Sequence, residues 1–290
     1  MPSLRDIRNR IGSVKSTRQI TKAMKMVAAA KLRRAQDAVT KTRPYAQLLD
    51  QALTRVAARV DKEEGAAHPL LAPRKPETAE VVVITSDRGL AGGFNSNIAR
   101  RAQRFLTESG DCYKRVEIST VGRKGRDFFR ARKIGIRKDF TAIHSDLRYE
   151  KAQAIAKEFT ERYLAGEVDA VFLAYNEFKS AISQKPVVIP LLPIETPPVD
   201  EAVPKIDFKY EPSREALLRD LLPRQVNTQV WRALLESAAS EHGARMSAME
   251  SATKNAEEMI AALTLQYNRA RQAYVTKELM EIVSGAEALK

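Results

Sequence analysis

The stretch SLRDIRNRIGSVKSTRQITKAMKMVAAAKLRRAQDAVTKTR, Ser3 to Arg43, decides the fold. It contains no proline, and Leu4, Ile7, Ile11 and Val14 recur at steps of three and four residues, the spacing that sets side chains on one face of an α-helix. Ser3 stands ahead of the pattern and Asp6 lies three residues further on, an N-cap with an acidic first turn. The stripe is expected to resume through Ile20, Met24, Val27, Lys31 and Ala35, then Leu48, Leu49, Leu53, Val56 and Val60. Pro44 should kink or break this helix because proline has no amide donor, and Gly65 with Pro69, Pro73 and Pro76 should end it.

The far end of the chain repeats the pattern. From Arg224 to Lys290 there is again no proline, and Ala252, Ala256, Met259, Leu263, Tyr267, Ala270 and Tyr274 step by three and four. Ser213 or Asn227 could cap its start, with Pro223 a kink or boundary between them. A continuous helix from Ser213 to Ser284 would be about 105 Å long at roughly 1.5 Å per residue. Such a helix needs a partner along its stripe, and the N-terminal helix is the obvious one. Ala28, Ala29 and Ala30 in one segment, and Ala238, Ala239, Ala244 and Ala248 in the other, would let two axes approach closely.

Between these segments the period changes. Val81 to Ile84 form a continuous β-branched run, which reads as a buried parallel strand, and Val116 to Val121 form a second. Helices are predicted over Asn95 to Leu106 and Tyr149 to Leu164, and strands over Val168 to Tyr175 and Val187 to Ile194. Alternating strands and helices are the grammar of an α/β layer domain, whose exit is marked by Pro190, Pro193, Pro197, Pro198 and Pro204. The expected architecture is a mixed α+β and α/β protein. A long antiparallel coiled coil of N- and C-terminal helices carries an inserted Rossmann-like α/β domain, divided as 1–62, 78–200 and 208–290.

Charge is distributed unevenly. The formal net charge is +13 over 290 residues, yet Met1 to Arg43 alone holds 12 basic and 2 acidic side chains, a net of +10. Such a field favours an acidic partner, whether protein, nucleic acid or anionic lipid, while the plainer reading is a solvated helix face. The composition is 44% hydrophobic but 6% aromatic, lean for an enzyme core and ordinary for long helices. Cys112 is the single cysteine, so no intramolecular disulfide can form. The start MPSLRDIRNR has neither an apolar core nor a small-residue cleavage site and does not read as a secretory or transit peptide. No uncharged apolar run reaches the roughly 18 residues of a membrane span, so membrane attachment is expected only through other proteins.

Little in the sequence points to catalysis. The loop Asp87-Arg88-Gly89-Leu90-Ala91-Gly92-Gly93 and the run Gly122-Arg123-Lys124-Gly125 follow strands, but neither has G-x-G-x-x-G or Walker spacing, so tight turns explain them better than phosphate binding. His68, His144 and His242 form no metal-ligand spacing, and Cys112 has no histidine beside it in sequence. No catalytic residue, metal or cofactor is expected.

Four blocks of the chain resemble the gamma subunits of F-type ATP synthases: SVKSTRQITKAMKMVAAAKLRRAQ (Ser13 to Gln36), TSDRGLAGGFNSNI (Thr85 to Ile98), LLESAASEHGARMSAMESATKNAEEMI (Leu234 to Ile260) and VTKELMEIVSGAEAL (Val275 to Leu289). They sit in family order. The resemblance implies a non-catalytic rotor in the central stalk, turning inside a hexamer of alpha and beta subunits. The α/β domain would lie against the epsilon subunit and the c-subunit ring, at the cytoplasmic face of the inner membrane, and would couple proton flow to ATP synthesis. It further implies that Arg245, Arg271, Gln272 and Thr276 meet loops of the beta subunits, and that Met24 and Lys25 face the acidic lever of beta. For Met24 a position in the coiled-coil core is an equal reading. The rival from another class is a basic coiled-coil protein that binds nucleic acid, weakened by a C-terminal half that adds no basic stripe. An enzyme built on the α/β insert lacks a catalytic constellation.

Overall fold

A computed structural model describes residues 3–57, 68–144, 146–195, 211 and 213–287. Gly65, Val60, Pro197, Pro198 and Pro204 lie outside the described residues. Two helices dominate: α1 runs from Leu4 to Ala57 and α5 from Arg214 to Glu287. At roughly 1.5 Å per residue these are about 80 and 110 Å long. The capping expected at Ser3 is present in full. Asp6 N–H donates to Ser3 Oγ at 3.2 Å, and Ser3 N–H and Oγ–H both donate to Asp6 Oδ2, at 3.1 and 2.8 Å. This reciprocal box satisfies amides that the first helical turn leaves without partners, and the Ser3 bonds hold the Asp6 pKa below its ordinary value. Ser213 caps α5 by accepting from Ala216 N–H at 3.2 Å.

Neither proline interrupts its helix: Pro44 lies inside α1 and Pro223 inside α5. A mid-helix proline removes one i to i−4 bond, and here it frees the carbonyls of Thr40 and Arg219, two residues on the exposed side of their helices where water can satisfy them.

The chain divides into two compact units, and the division crosses both long helices: one unit is 1–28 with 245–290, the other 29–244. The larger unit holds a five-stranded sheet of order β3-β2-β1-β4-β5. Its strands are β1 (Thr78–Ile84), β2 (Arg115–Val121), β3 (Lys138–Phe140), β4 (Ala170–Phe178) and β5 (Gln184–Leu192). The first four are parallel, with Val82 opposite Ser119 and Leu173, and β5 closes the edge antiparallel to β4. Helices α2 (Phe94–Glu108), α3 (Arg123–Ala131) and α4 (Tyr149–Leu164) complete the layers. Alternation along β1 feeds two cores. Val82 and Ile84 join the cluster containing α4 residues Ile155 and Phe159 with Leu49, Leu53 and Leu222 of the long helices. Val81 and Val83 join Ile98, Ala102 and Phe129 of α2 and α3 on the opposite face.

Two elements escaped the sequence reading. β3 is three residues long with charged side chains, a short sheet edge, and α3 is a nine-residue helix whose glycine was read as part of a turn. Pro190, expected inside the strand Val187 to Ile194 and as a mark of the domain's exit, lies inside β5 opposite Phe172. An edge strand tolerates it because its amide side need not be paired.

One carboxylate organises the sheet. Glu80 on β1 is fully buried, accepts from Ser119 Oγ, and pairs with Arg137 Nε at 2.7 Å and with Arg162 Nη1. Arg162 continues to Glu117 at 3.1 Å and Glu167 at 2.8 Å, and Arg137 to Glu158 at 2.9 Å. Burial alone would raise the Glu158 pKa, but the bonds from Lys138 and Arg137 outweigh it and hold the carboxyl below its usual range.

Candidate partner interface on the terminal helices

In the smaller unit α1 and α5 pair antiparallel. Arg8 Nη2 donates to Tyr267 Oη at 2.5 Å, the hydroxyls of Thr21 and Thr253 bond at 2.8 Å, and Lys25 Nζ meets Glu250 Oε1 at 2.6 Å, so equal steps up α1 are equal steps down α5. Buried or half-buried positions recur alternately three and four residues apart: Leu4, Ile7, Ile11, Val14, Arg18, Thr21, Lys25 and Ala28 on α1, and Met249, Thr253, Ala256, Ile260, Leu263, Tyr267 and Ala270 on α5. This seven-residue repeat is the seam of a left-handed coiled coil.

The seam corrects the expected stripes. Ile20 and Val27 are 59% and 56% exposed, and Lys31 and Leu48 are also exposed. The true seam lies one position further on, at Thr21, Ala28, Leu32 and Leu49. Apolar periodicity misplaces the seam because it is polar at Arg18, Thr21 and Lys25, with a Thr21–Thr253 hydrogen bond and a Lys25–Glu250 ion pair in place of apolar contact. Met259, expected inside, is exposed and the half-buried Ile260 takes its place, while Tyr274 is exposed because it lies beyond the last seam position, Ala270. Of the small residues expected between the axes, Ala28 and Ala239 are buried and Ala30 is exposed. In the larger unit Gly243 serves close approach: a Cβ there would stand 3.0 Å from the Ala181 carbonyl oxygen of the β4–β5 turn.

All six residues singled out for partner contact belong to the smaller unit, but they form two groups. Met24, Lys25 and Arg245 are half-buried near the Lys25–Glu250 pair, so the Lys25 ammonium is engaged by a carboxylate of its own chain. Arg271, Gln272 and Thr276 are fully accessible, about 30 Å further along α5. There α1 has ended. From Arg271 to Gly285 every residue of α5 is exposed, and among the described residues none lies opposite. The apolar side chains of this tip are exposed, and Val275, Leu279, Ile282 and Val283 fall within about 100° of one another on one side of the helix, with Met280 further round. On α1 Met26 and the two residues expected in the buried stripe, Ile20 and Val27, are accessible apolar surface as well. An apolar stripe that continues along α5 past the point where α1 ends is the signal that could have revealed the tip surface.

The glycine loops are structural. Gly122 has φ +97 and a Cβ there would meet the Thr85 carbonyl oxygen at 2.2 Å, while Gly125 N–H donates to Thr85 Oγ1 at 2.8 Å. Ser86 N–H donates to Asn95 Oδ1 at 2.9 Å, which folds the loop after β1 back onto α2. Cys112 is an exposed free thiol. Among the described residues no group of three His, Cys, Asp or Glu could hold a metal, and no helix is long and apolar enough to cross a membrane.

The smaller unit pairs two terminal helices antiparallel and the larger carries a mainly parallel five-stranded α/β sheet, the combination of a coiled coil with an α/β domain. Residues 3–289 match the family model described as ATP synthase. The chain is 82% identical over all of its length and all of the relative's to the ATP synthase gamma chain of Anaeromyxobacter sp. (strain Fw109-5), and 78% identical, again end to end, to that of Anaeromyxobacter dehalogenans (strain 2CP-1 / ATCC BAA-258). Among solved structures it is similar to a chain of the central stalk and c-ring of the Tetrahymena thermophila mitochondrial ATP synthase. That match has 29% identity and a TM-score of 0.60, and covers 80% of this chain and 99% of the other. The chain belongs to the ATP synthase gamma chain family.

Proposed function

We propose that this chain is the central-stalk rotor of a bacterial F-type ATP synthase, coupling transmembrane proton flow to ATP synthesis by turning inside the alpha/beta hexamer. Family membership supports the role and leaves the nucleic-acid reading without a foundation. The observation that carries it is the α5 tip: an exposed apolar stripe, Val275, Leu279, Ile282 and Val283, which nothing among the described residues covers, calls for an enclosing sleeve. The hexamer's alpha and beta subunits would supply that sleeve. The larger unit would be the part met by the epsilon subunit and the c-ring, and the protein would sit peripherally at the cytoplasmic face of the inner membrane, held there by other subunits. Residues 1–62 and 208–290 would form the axle and 78–200 the coupling domain.

Rotation in this scheme is one rigid body biasing several bistable partners through differential contact with its current face. Arg245, Arg271, Gln272 and Thr276 would grip beta loops at one angle and release them at another, and Met24 with Lys25 would face the acidic lever of beta. Arginine suits that duty because its planar fork holds a carboxylate or carbonyl in a defined direction. Catalysis itself would belong to the partners, with no cofactor or metal on this chain. Co-purification with alpha and beta subunits tests the proposal: one copy per hexamer is expected, and failure to join the hexamer overturns it.

A further inference from the structure

We infer that the turn between α3 and β3 is a binding site for a phosphate-bearing anion. A surface cavity of about 430 Å³ opens there, lined by Arg130, Lys133 and Arg137 with Asp139 as its one carboxylate. Asp139 is already occupied: Thr120 Oγ1 donates to it at 3.0 Å and Arg126 at 3.4 Å. Arg130 and Lys133 are exposed and make no ion pair among the described residues. Arg137 is anchored by Glu80 and Glu158, and its buried Nη2 has no hydrogen-bond partner among the described residues. The floor is firm, because Ile134 and Ile136 pack against the core beneath α2 and α3. Two exposed cations, Arg130 and Lys133, thus line one concavity beside the anchored Arg137, a lining suited to charge-assisted bonds with phosphoryl oxygens.

The backbone supplies the second argument. Lys133 sits at φ +58, just past the end of α3, where its own N–H bonds Arg130 O at 3.0 Å and the next amide bonds Phe129 O at 3.1 Å. This is the left-handed position that closes a helix, which glycine fills without strain and a lysine fills at a steric cost. A long cationic side chain is therefore held where local geometry favours none, and it points to a task for its ammonium. The glycine-rich loops after β1 and β2 take no part in this site.

The test is equilibrium binding of inorganic pyrophosphate to the full chain, alongside flotation with phosphatidylglycerol vesicles and with neutral phosphatidylcholine vesicles. The comparison set is wild type, Lys133→Gly, Arg130→Gln, and the charge-matched controls Lys15→Gln and Arg10→Gln on α1. Saturable pyrophosphate binding, weakened about tenfold by Lys133→Gly and by Arg130→Gln but not by the controls, supports a free phosphate ligand. The same pattern confined to phosphatidylglycerol vesicles supports a lipid headgroup as the source. Lys133→Gly should unfold at an equal or higher urea midpoint, so that its loss of binding reports the lost charge. Absence of saturable binding to either probe, or equal weakening by the α1 controls, overturns the inference.

Discussion

Glu80 shows how much one side chain can hold. Its carboxylate lies inside the sheet with Arg137 and Arg162 bonded to it, so Glu80→Ala leaves two largely buried guanidinium groups with only their outer partners, Glu158 for Arg137 and Glu117 with Glu167 for Arg162. Breaking such a pair typically costs about 3–5 kcal/mol, and urea unfolding of the full chain should register a loss of that order. Gly122→Ala should also destabilise by roughly 3 kcal/mol or more, since the new Cβ would collide with backbone that cannot yield. The Lys25–Glu250 pair stands at the other extreme. Both side chains are more than a third exposed, so water screens the attraction and Lys25→Ala should change stability by no more than about 1 kcal/mol. ATP-driven rotation of the assembled complex should survive that change; its loss would show that torque passes through single contacts. Asp6 adds a dependence on acidity. Its folded pKa is depressed below 3.8, so its contribution is present at neutral pH and disappears as the pH falls through the lowered value, which amide exchange in the first turn of α1 should reveal as fraying.

Among the elements, α5 is the one whose environment changes most along its length. Between Leu222 and Glu241 it is buried on most faces, from Met249 to Ala270 along a single seam, and beyond Arg271 nowhere. Stability should fall in that order, with amide protection lowest at the tip of the isolated chain. Paired changes Leu279→Asp and Ile282→Asp should leave the circular dichroism of the isolated chain nearly unaltered, because the two side chains are 57% and 67% exposed. They should weaken assembly with alpha and beta at least tenfold if a sleeve encloses the tip, as a hydrophobic contact of this size implies. Removal of 285–290 should weaken assembly or torque while the hexamer's ATP hydrolysis persists, and an ATPase assay decides it. The polar zone of the seam fits the same element-scale logic. Thr21 with Thr253 and Lys25 with Glu250 sacrifice apolar burial, and polar seam positions of this kind set the register of a coiled coil.

For the molecule as a whole, charge is the property that acts at a distance. A net of +10 on the first 43 residues would speed encounter with an acidic partner, and the screening length shrinks to about 8 Å at physiological ionic strength. Assembly rates should therefore fall several-fold between low salt and about 0.15 M salt, whereas the affinity of the assembled complex should change less. Equal rates across that range would remove any steering role for the N-terminal segment.

Much of this architecture was legible from residues alone, because local physics writes it locally. Ser3 with Asp6, the proline-free terminal segments, and the β-branched run Val81 to Ile84 each specify their element through backbone preference and side-chain period. The antiparallel pairing followed from helices too long to stand unaccompanied. What tertiary structure decided was everything that depends on a partner surface: which stripe of α1 is inside, that β3 extends the sheet, that Glu80 is a buried hub, and that Lys25 answers Glu250. Hydrophobic periodicity cannot locate a seam whose buried positions are polar, since Thr21 and Lys25 become interior residues only when Thr253 and Glu250 arrive from more than two hundred residues away.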